Sequence, residues 1–276
     1  MAKHSNLPAT QQAPTAPSTE VMSEAERQRM LADLQNDGMD FGKEDLAIPF
    51  LRIAQDLTPQ TKKHEPNYIA GLEPGDFYHT VTSEVWKNST GGVLVVPVAF
   101  TRSFTEWWPR DSKAGKGFVK DWGTDSSNMD RCTRDAKNRD ITPEGTQMTR
   151  AALYFLLVVD PTTGEYQQAA LSLSGSQLKH AKKWNSLISQ YKMRGIPGYG
   201  KTYVLTTVIE KNDQGSWSGL HVVAGGNTLQ LPNGGDVYEA AKAYAALVTS
   251  GAVQVKHDDA GTGEAAEGEG DANVPF

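Results

Sequence analysis

The chain has 276 residues, of which 38% are hydrophobic and 22% charged, with a formal net charge of −6. This is enough for one large core or two small ones with polar ends to spare. With Cys132 as the only cysteine, no apolar run of bilayer length and no signal-peptide core, it excludes a disulfide scaffold and a membrane span, and a soluble cytoplasmic protein is expected.

Residues 1–21 are rich in Ala, Pro, Thr and Gln and read as a disordered arm. A body over residues 22–257 follows. It opens on Ser23-Glu24-Ala25-Glu26, a capping-box pattern, and an amphipathic helix is expected over 22–37. Its apolar stripe of Met30, Leu31 and Leu34 is thin, fit to dock on the body or on a second copy in a homo-oligomer. Ile48 to Leu57 reads as a short strand or irregular core segment, and Phe77 to Thr82 has strand composition. Val93 to Phe100 is the strongest strand, where Pro97 signals an edge or a bulge, and Phe104 to Trp108 continues it.

Residues 109–150 are nearly free of core residues and read as a long polar loop. Ala152 to Val159 and Tyr166 to Leu173 form a hairpin about Asp160 to Gly164. A helix is expected from Ser176 to about Met193, with Trp184, Leu187, Ile188 and Tyr191 on one face. Two further strands, Thr202 to Ile209 and Trp217 to Val223, flank a turn at Asn212 to Gly215. A last helix runs from about Asp236 to Ser250 and stops at Gly251. The fold expected is mainly β with accessory helices (α+β), an OB-like barrel or half-barrel.

Two patches combine cations with aromatic rings, as a single nucleic-acid strand requires: cations neutralise phosphates and rings stack on exposed bases. One holds Lys179, Lys182, Lys183, Lys192, Arg194, Lys201 and Lys211 against one acid, Glu210, interleaved with Trp184, Tyr191, Tyr199 and Tyr203. Helical spacing turns Trp184 and Tyr191 toward the core, which leaves the cations, Tyr199 and Tyr203 as the contact candidates. The other holds Trp107, Trp108, Arg110, Lys113, Lys116, Phe118, Lys120 and Trp122. Adjacent strand residues face opposite sides, so Trp107 and Trp108 cannot both point inward. One of them is exposed or packs under the following loop.

Gly195 to Thr202 matches the P-loop formula. However, it follows a helix and opens a β-branched run, the reverse of the strand-to-helix context that aims a helix N-terminus at phosphate. The histidines are scattered and suggest no metal site, and no cofactor is expected. Cys132 lies between Arg131 and Arg134, which would lower its pKa, although a lone loop cysteine is commonly incidental.

The last nineteen residues, Asp258 to Phe276, hold six acids and no base, so the other 257 residues carry 27 of each. Such a run reads as a disordered tail. It ends on Asp271, Val274, Pro275 and Phe276, where a terminal ring and carboxylate suit a pocket with an apolar base and a basic rim. This end resembles the C-terminal tip of bacterial and phage single-stranded-DNA-binding proteins, although one acid stands among the last six residues where the bacterial tip has several. The resemblance covers the tail alone. It implies recruitment of replication or recombination proteins through that tip and supports the OB-like expectation for the body. The runs Lys182 to Ser186 and Leu205 to Asp213 are similar to early-region proteins of tailed phages. The function expected is sequence-independent binding and protection of single-stranded DNA in the host cytoplasm, without catalysis. The alternatives are an NTPase using Gly195 to Thr202 and a strand-annealing or recombination mediator protein.

Overall fold

The computed structural model describes residues 23–33, 49–212, 215–253 and 255. The expected arm over 1–21 and the acidic tail over 258–276, with Asp271, Val274, Pro275 and Phe276, lie outside the described residues. The chain divides into two compact units, Met1–Leu46 and Ala47–Phe276. In the first, helix α1 spans Glu24–Asp33. The capping box is formed: the Ser23 N–H donates to Glu26 Oε2 at 2.8 Å and the Glu26 N–H to Ser23 Oγ at 3.4 Å. The Ser23 hydroxyl also donates to Glu26 Oε2 at 2.6 Å, and this bond first, then that from the Ser23 N–H, holds the Glu26 carboxyl below its usual pKa.

The second unit begins with a small antiparallel sheet of β1 (Leu51–Ile53), β2 (Phe77–His79) and β3 (Val85–Trp86). An eight-stranded sheet follows, built from β4 (Val93–Trp107), β5 (Phe118–Gly123), β6 (Thr133–Arg134), β7 (Asp140–Ile141), β8 (Gln147–Val159), β9 (Tyr166–Ser174), β10 (Lys201–Asn212) and β11 (Gly215–Asn227). It is a curled half-barrel. Its ladders run β11-β10-β4-β8-β7-β6, with β5 on β4 and β9 on β8. The expected bulge at Pro97 is present as a register shift between Pro97 and Ala99 against β8.

Helices α2 (Leu178–Met193) and α3 (Gly234–Thr249) cover opposite faces of this sheet. Along β8, Ala152, Tyr154, Leu156 and Val158 join the core under α2. Leu153, Phe155, Leu157 and Val159 join the core under α3. Burial on both faces explains why this strand reads as a continuous apolar run instead of an alternating one. Trp184 of α2 is fully buried and stacks on Tyr154, centroids 4.3 Å apart, with Tyr203 edge-on to it at 5.7 Å.

The outer edge of β11 is closed by side chains where a barrel would need another strand. Gln55 Nε2 donates to the Ser218 carbonyl at 3.1 Å, and the Ser218 N–H donates to Gln55 Oε1 at 2.9 Å. Gln177, just before α2, donates to the same carbonyl and accepts from the Leu220 N–H, both at 2.9 Å. Two side-chain amides thereby supply the hydrogen bonds an exposed edge lacks.

The stretch 109–150 is not the long polar loop that its composition suggests. It carries β5, β6, β7 and the start of β8, and it elaborates the end of the β4–β8 ribbon. Ion pairs and turns hold it in place of a core. Asp111 pairs with Arg139 and with Lys137, each at 2.8 Å, Arg139 also pairs with Asp135 at 2.8 Å, and Arg134 pairs with Asp140 at 3.1 Å. Arg131 pairs with Glu144. The Arg139 and Lys137 contacts hold the Asp111 carboxyl far below the usual range. Strands so short and so polar carry no hydrophobic period by which to be recognised.

Candidate nucleic-acid interface

The second of the two sequence patches is assembled at the end of the β4–β8 ribbon. The register pairs Trp107 with Phe118 and Glu106 with Lys120, with Val119 as the extra residue between them. Cross-strand partners share a face, so the patch divides in two. On one face Trp107 meets Phe118 edge-on, centroids 5.5 Å apart, and Trp107 Nε1 donates to Thr105 Oγ1 at 2.9 Å. Phe118 is 40% exposed. On the other face the Lys120 ammonium lies 3.6 Å from the Trp122 ring centroid, and Trp122 Nε1 donates to Glu106 Oε2 at 2.8 Å. Glu106 is buried, and its second oxygen accepts from Thr146 Oγ1, which is bonded to Thr142 Oγ1 at 2.6 Å. This carboxylate fixes the indole of Trp122 from beneath.

Trp108 takes the packed role. A side chain at Gly115 would lie 2.4 Å from its ring, so the loop backbone rests directly on the indole. Arg110, Lys113 and Lys116 project from that loop and are exposed. The insertion's salt bridges engage Arg131, Arg134, Lys137 and Arg139, and none of these three cations takes part in an ion pair among the described residues. Local pairing therefore sorts a nearly balanced composition into neutralised and available charge.

Two residues join this surface that the sequence reading did not single out. Arg102 pairs in register with Ala152, and Arg150 with Phe104. Positions 102, 104 and 106 share a face, as do 148, 150 and 152, so both arginines stand on the Lys120–Trp122 side. That is also the α2 side, since Ala152 and Tyr154 pack beneath α2. Both are exposed and make no ion pair among the described residues. The available signal was alternation within Thr101 to Trp107 and Gln147 to Ala152. It became usable only with the register, because the bulge at Pro97 resets the parity of β4.

The first patch is partly dispersed. Lys182, Lys183, Lys192 and Arg194 are exposed along and just beyond α2. Lys179 is held by Glu210 at 2.8 Å, and His180 Nε2 lies 3.2 Å from the same carboxylate. Burial works against the Glu210 charge, but hydrogen bonds from Lys179 and His180 outweigh it and its pKa is lowered. Tyr199 packs toward the α3 core, edge-on to Tyr238 at 5.2 Å. Tyr203 is a correction: it is fully buried in the α2 core and offers no ring to a strand. Strand alternation carries it inward with Leu205, and desolvation raises its phenol pKa. Trp184 and Tyr191 face the core, as helical spacing requires.

Gly195 to Thr202 runs from the C-terminal end of α2 into β10. The Thr202 hydroxyl donates to the Gly226 carbonyl at 3.1 Å, and the Lys201 ammonium lies 4.9 Å from the Tyr191 ring centroid. Cys132 differs from the expectation for a thiol between arginines. Burial first, then the charges of Asp140 and Glu106, push its pKa up, and Arg131 opposes them less strongly. No group of three or more metal-ligating side chains occurs among the described residues, and no described helix is long and apolar enough to cross a membrane.

A family model described as Pam3 phage gp34-like protein matches residues 18–254, most of the chain, and points to a phage protein. Comparison with curated proteins and with solved structures produced no match.

Proposed function

We propose that this chain, which belongs to the Pam3 phage gp34-like protein family, binds single-stranded DNA without reading its sequence. The observation that carries the reading is the α2-side face of the β4–β5–β8 ribbon. There Trp122 lies partly exposed beside Lys120, and Arg102 and Arg150 are exposed without an ion-pair partner among the described residues. Arg110, Lys113 and Lys116 extend the positive charge, and Trp107 with Phe118 offers a second ring surface on the opposite face. Cations along a backbone path and rings for unstacked bases are the two parts that sequence-tolerant strand binding needs.

In this reading the exposed cations of α2, Lys182 and Lys183, lengthen the path taken by the phosphates. The segment Asp271 to Phe276 recruits replication or recombination proteins, as the tip of single-stranded-DNA-binding proteins does. The curled half-barrel sheet serves as the platform in place of a closed OB barrel.

The test is titration of oligo-dT into the full-length protein at several salt concentrations, followed by tryptophan fluorescence. Quenching with an affinity that falls steeply with salt is expected. No quenching and no binding at low salt overturn the reading.

A further inference from the structure

We infer that the small β1–β3 sheet carries a separate pocket for a single nucleobase, presented as a mononucleotide or as one splayed base. A cavity of about 300 Å³ lies between the loop around Pro59 to Ile69 and the β2–β3 hairpin. That is the lower end of the range for small-molecule sites. Tyr78 forms its buried side, and Tyr68 and Ile69 add apolar wall. Gln60, Asn67, Thr80 and Ser83 supply the polar lining, and no carboxylate or ammonium is among the lining residues.

Three observations single this cavity out. The Gln60 side chain is half-buried and that of Asn67 is exposed at the rim, and neither amide makes a hydrogen bond among the described residues. By contrast, the Gln55, Asn88 and Gln177 amides each both donate to and accept from backbone groups. Uncommitted amides at a cavity wall call for a ligand that offers both donors and acceptors. Ser83, at the rim, holds a left-handed backbone with φ of 58°, one of three non-glycine residues with positive φ among the described residues. The other two are Asn138 and Asn233, a residue type that tolerates this region far better. Strain of this kind concentrates at ligand sites.

A neutral lining with two amides, two aliphatic hydroxyls and two tyrosines matches a planar heterocycle. Its edge carries donors and acceptors, and its face packs against an aromatic ring. The charged phosphate would stay outside, in solvent, since no charged side chain lines the cavity. The cavity belongs to a different sheet from the strand-binding face, so either proposal can fail alone.

The experiment uses the full-length protein with the four deoxynucleoside 5′-monophosphates and ribose 5-phosphate as probes, followed by calorimetry and by NMR of the side-chain amides. At least one mononucleotide is expected to bind at roughly millimolar concentration and to shift the Gln60 and Asn67 amide resonances, while ribose 5-phosphate does neither. The double substitution Gln60→Ala/Asn67→Ala should weaken binding about tenfold or more with little change in the thermal midpoint, because neither amide makes a hydrogen bond among the described residues. Trp122→Ala should leave mononucleotide binding intact while lowering oligo-dT affinity. The inference is overturned if no mononucleotide binds, if ribose 5-phosphate binds equally well, or if binding leaves both amide resonances in place. The NMR result stands on the unmodified protein even if the double variant does not fold.

Discussion

The two long central strands, β4 and β8, lead different lives along their length. From Val93 to Ala99 and from Ala151 to Val159 they are enclosed by α2 on one face and α3 on the other, and both faces are apolar. From Phe100 to Trp107 and from Gln147 to Arg150 they leave that shelter. Their α2-side face then carries Arg102, Arg150 and the buried Glu106 that holds Trp122. One pair of strands thus provides a core at one end and a charged platform at the other. The register that builds the first also aims the second.

That contrast makes distinct demands on substitutions at the two ends. Trp184→Ala removes the ring stacked on Tyr154 in the enclosed half and should cost about 3–5 kcal/mol of stability, read by urea denaturation. A small loss would mean that the core repacks around the gap. Trp122→Ala, in the open half, should cost about 1–3 kcal/mol of oligo-dT affinity with little change in stability. Glu106→Met, which removes the acceptor under the indole, should produce a loss of the same kind. The double variant with Trp122→Ala should then lose little more than either alone. Full additivity would mean that Glu106 does not act through Trp122.

Smaller effects follow at single charges and hydroxyls. Arg102→Ala and Arg150→Ala should each flatten the slope of log affinity against log salt by about 0.7. Unchanged slopes would remove those residues from the phosphate path. Tyr203→Phe deletes a buried hydroxyl that has no hydrogen-bond partner among the described residues. It should leave stability and strand affinity within about 0.5 kcal/mol of the parent.

The smallest expected change concerns His180. Burial lowers its pKa below 6.5 despite the opposing pull of Glu210, with Lys179 and Lys183 adding to the depression. The unfolded chain therefore takes up the proton first. This contribution to stability is complete above pH 6.5 and is lost as the pH falls below it. His180→Asn should reduce the loss on acidification, as measured by thermal midpoints across that range. An unchanged pH profile would refute the role of His180.

Local pattern made part of the fold readable in advance. The Ser23–Glu26 cap, the bulge at Pro97, the 152–173 hairpin and the burial of Trp184 each depend on neighbours close in sequence or on a clear period. The short strands of 109–146 were not readable, because ion pairs between residues up to 28 apart replace a core there. Tyr203 was misassigned because a basic, aromatic window looks the same whether its rings face solvent or core.

The sequence by itself determined that the chain is β-rich with helices, that its net charge resides in the last nineteen residues, and that cations and aromatic rings recur in two windows. Composition and short-range periodicity carry that information. Only the tertiary structure decided which window presents its rings, which of its charges are neutralised, and that Arg102 and Arg150 stand beside Trp122. Those facts follow from strand register and from pairing between distant residues, which local sequence does not fix by itself.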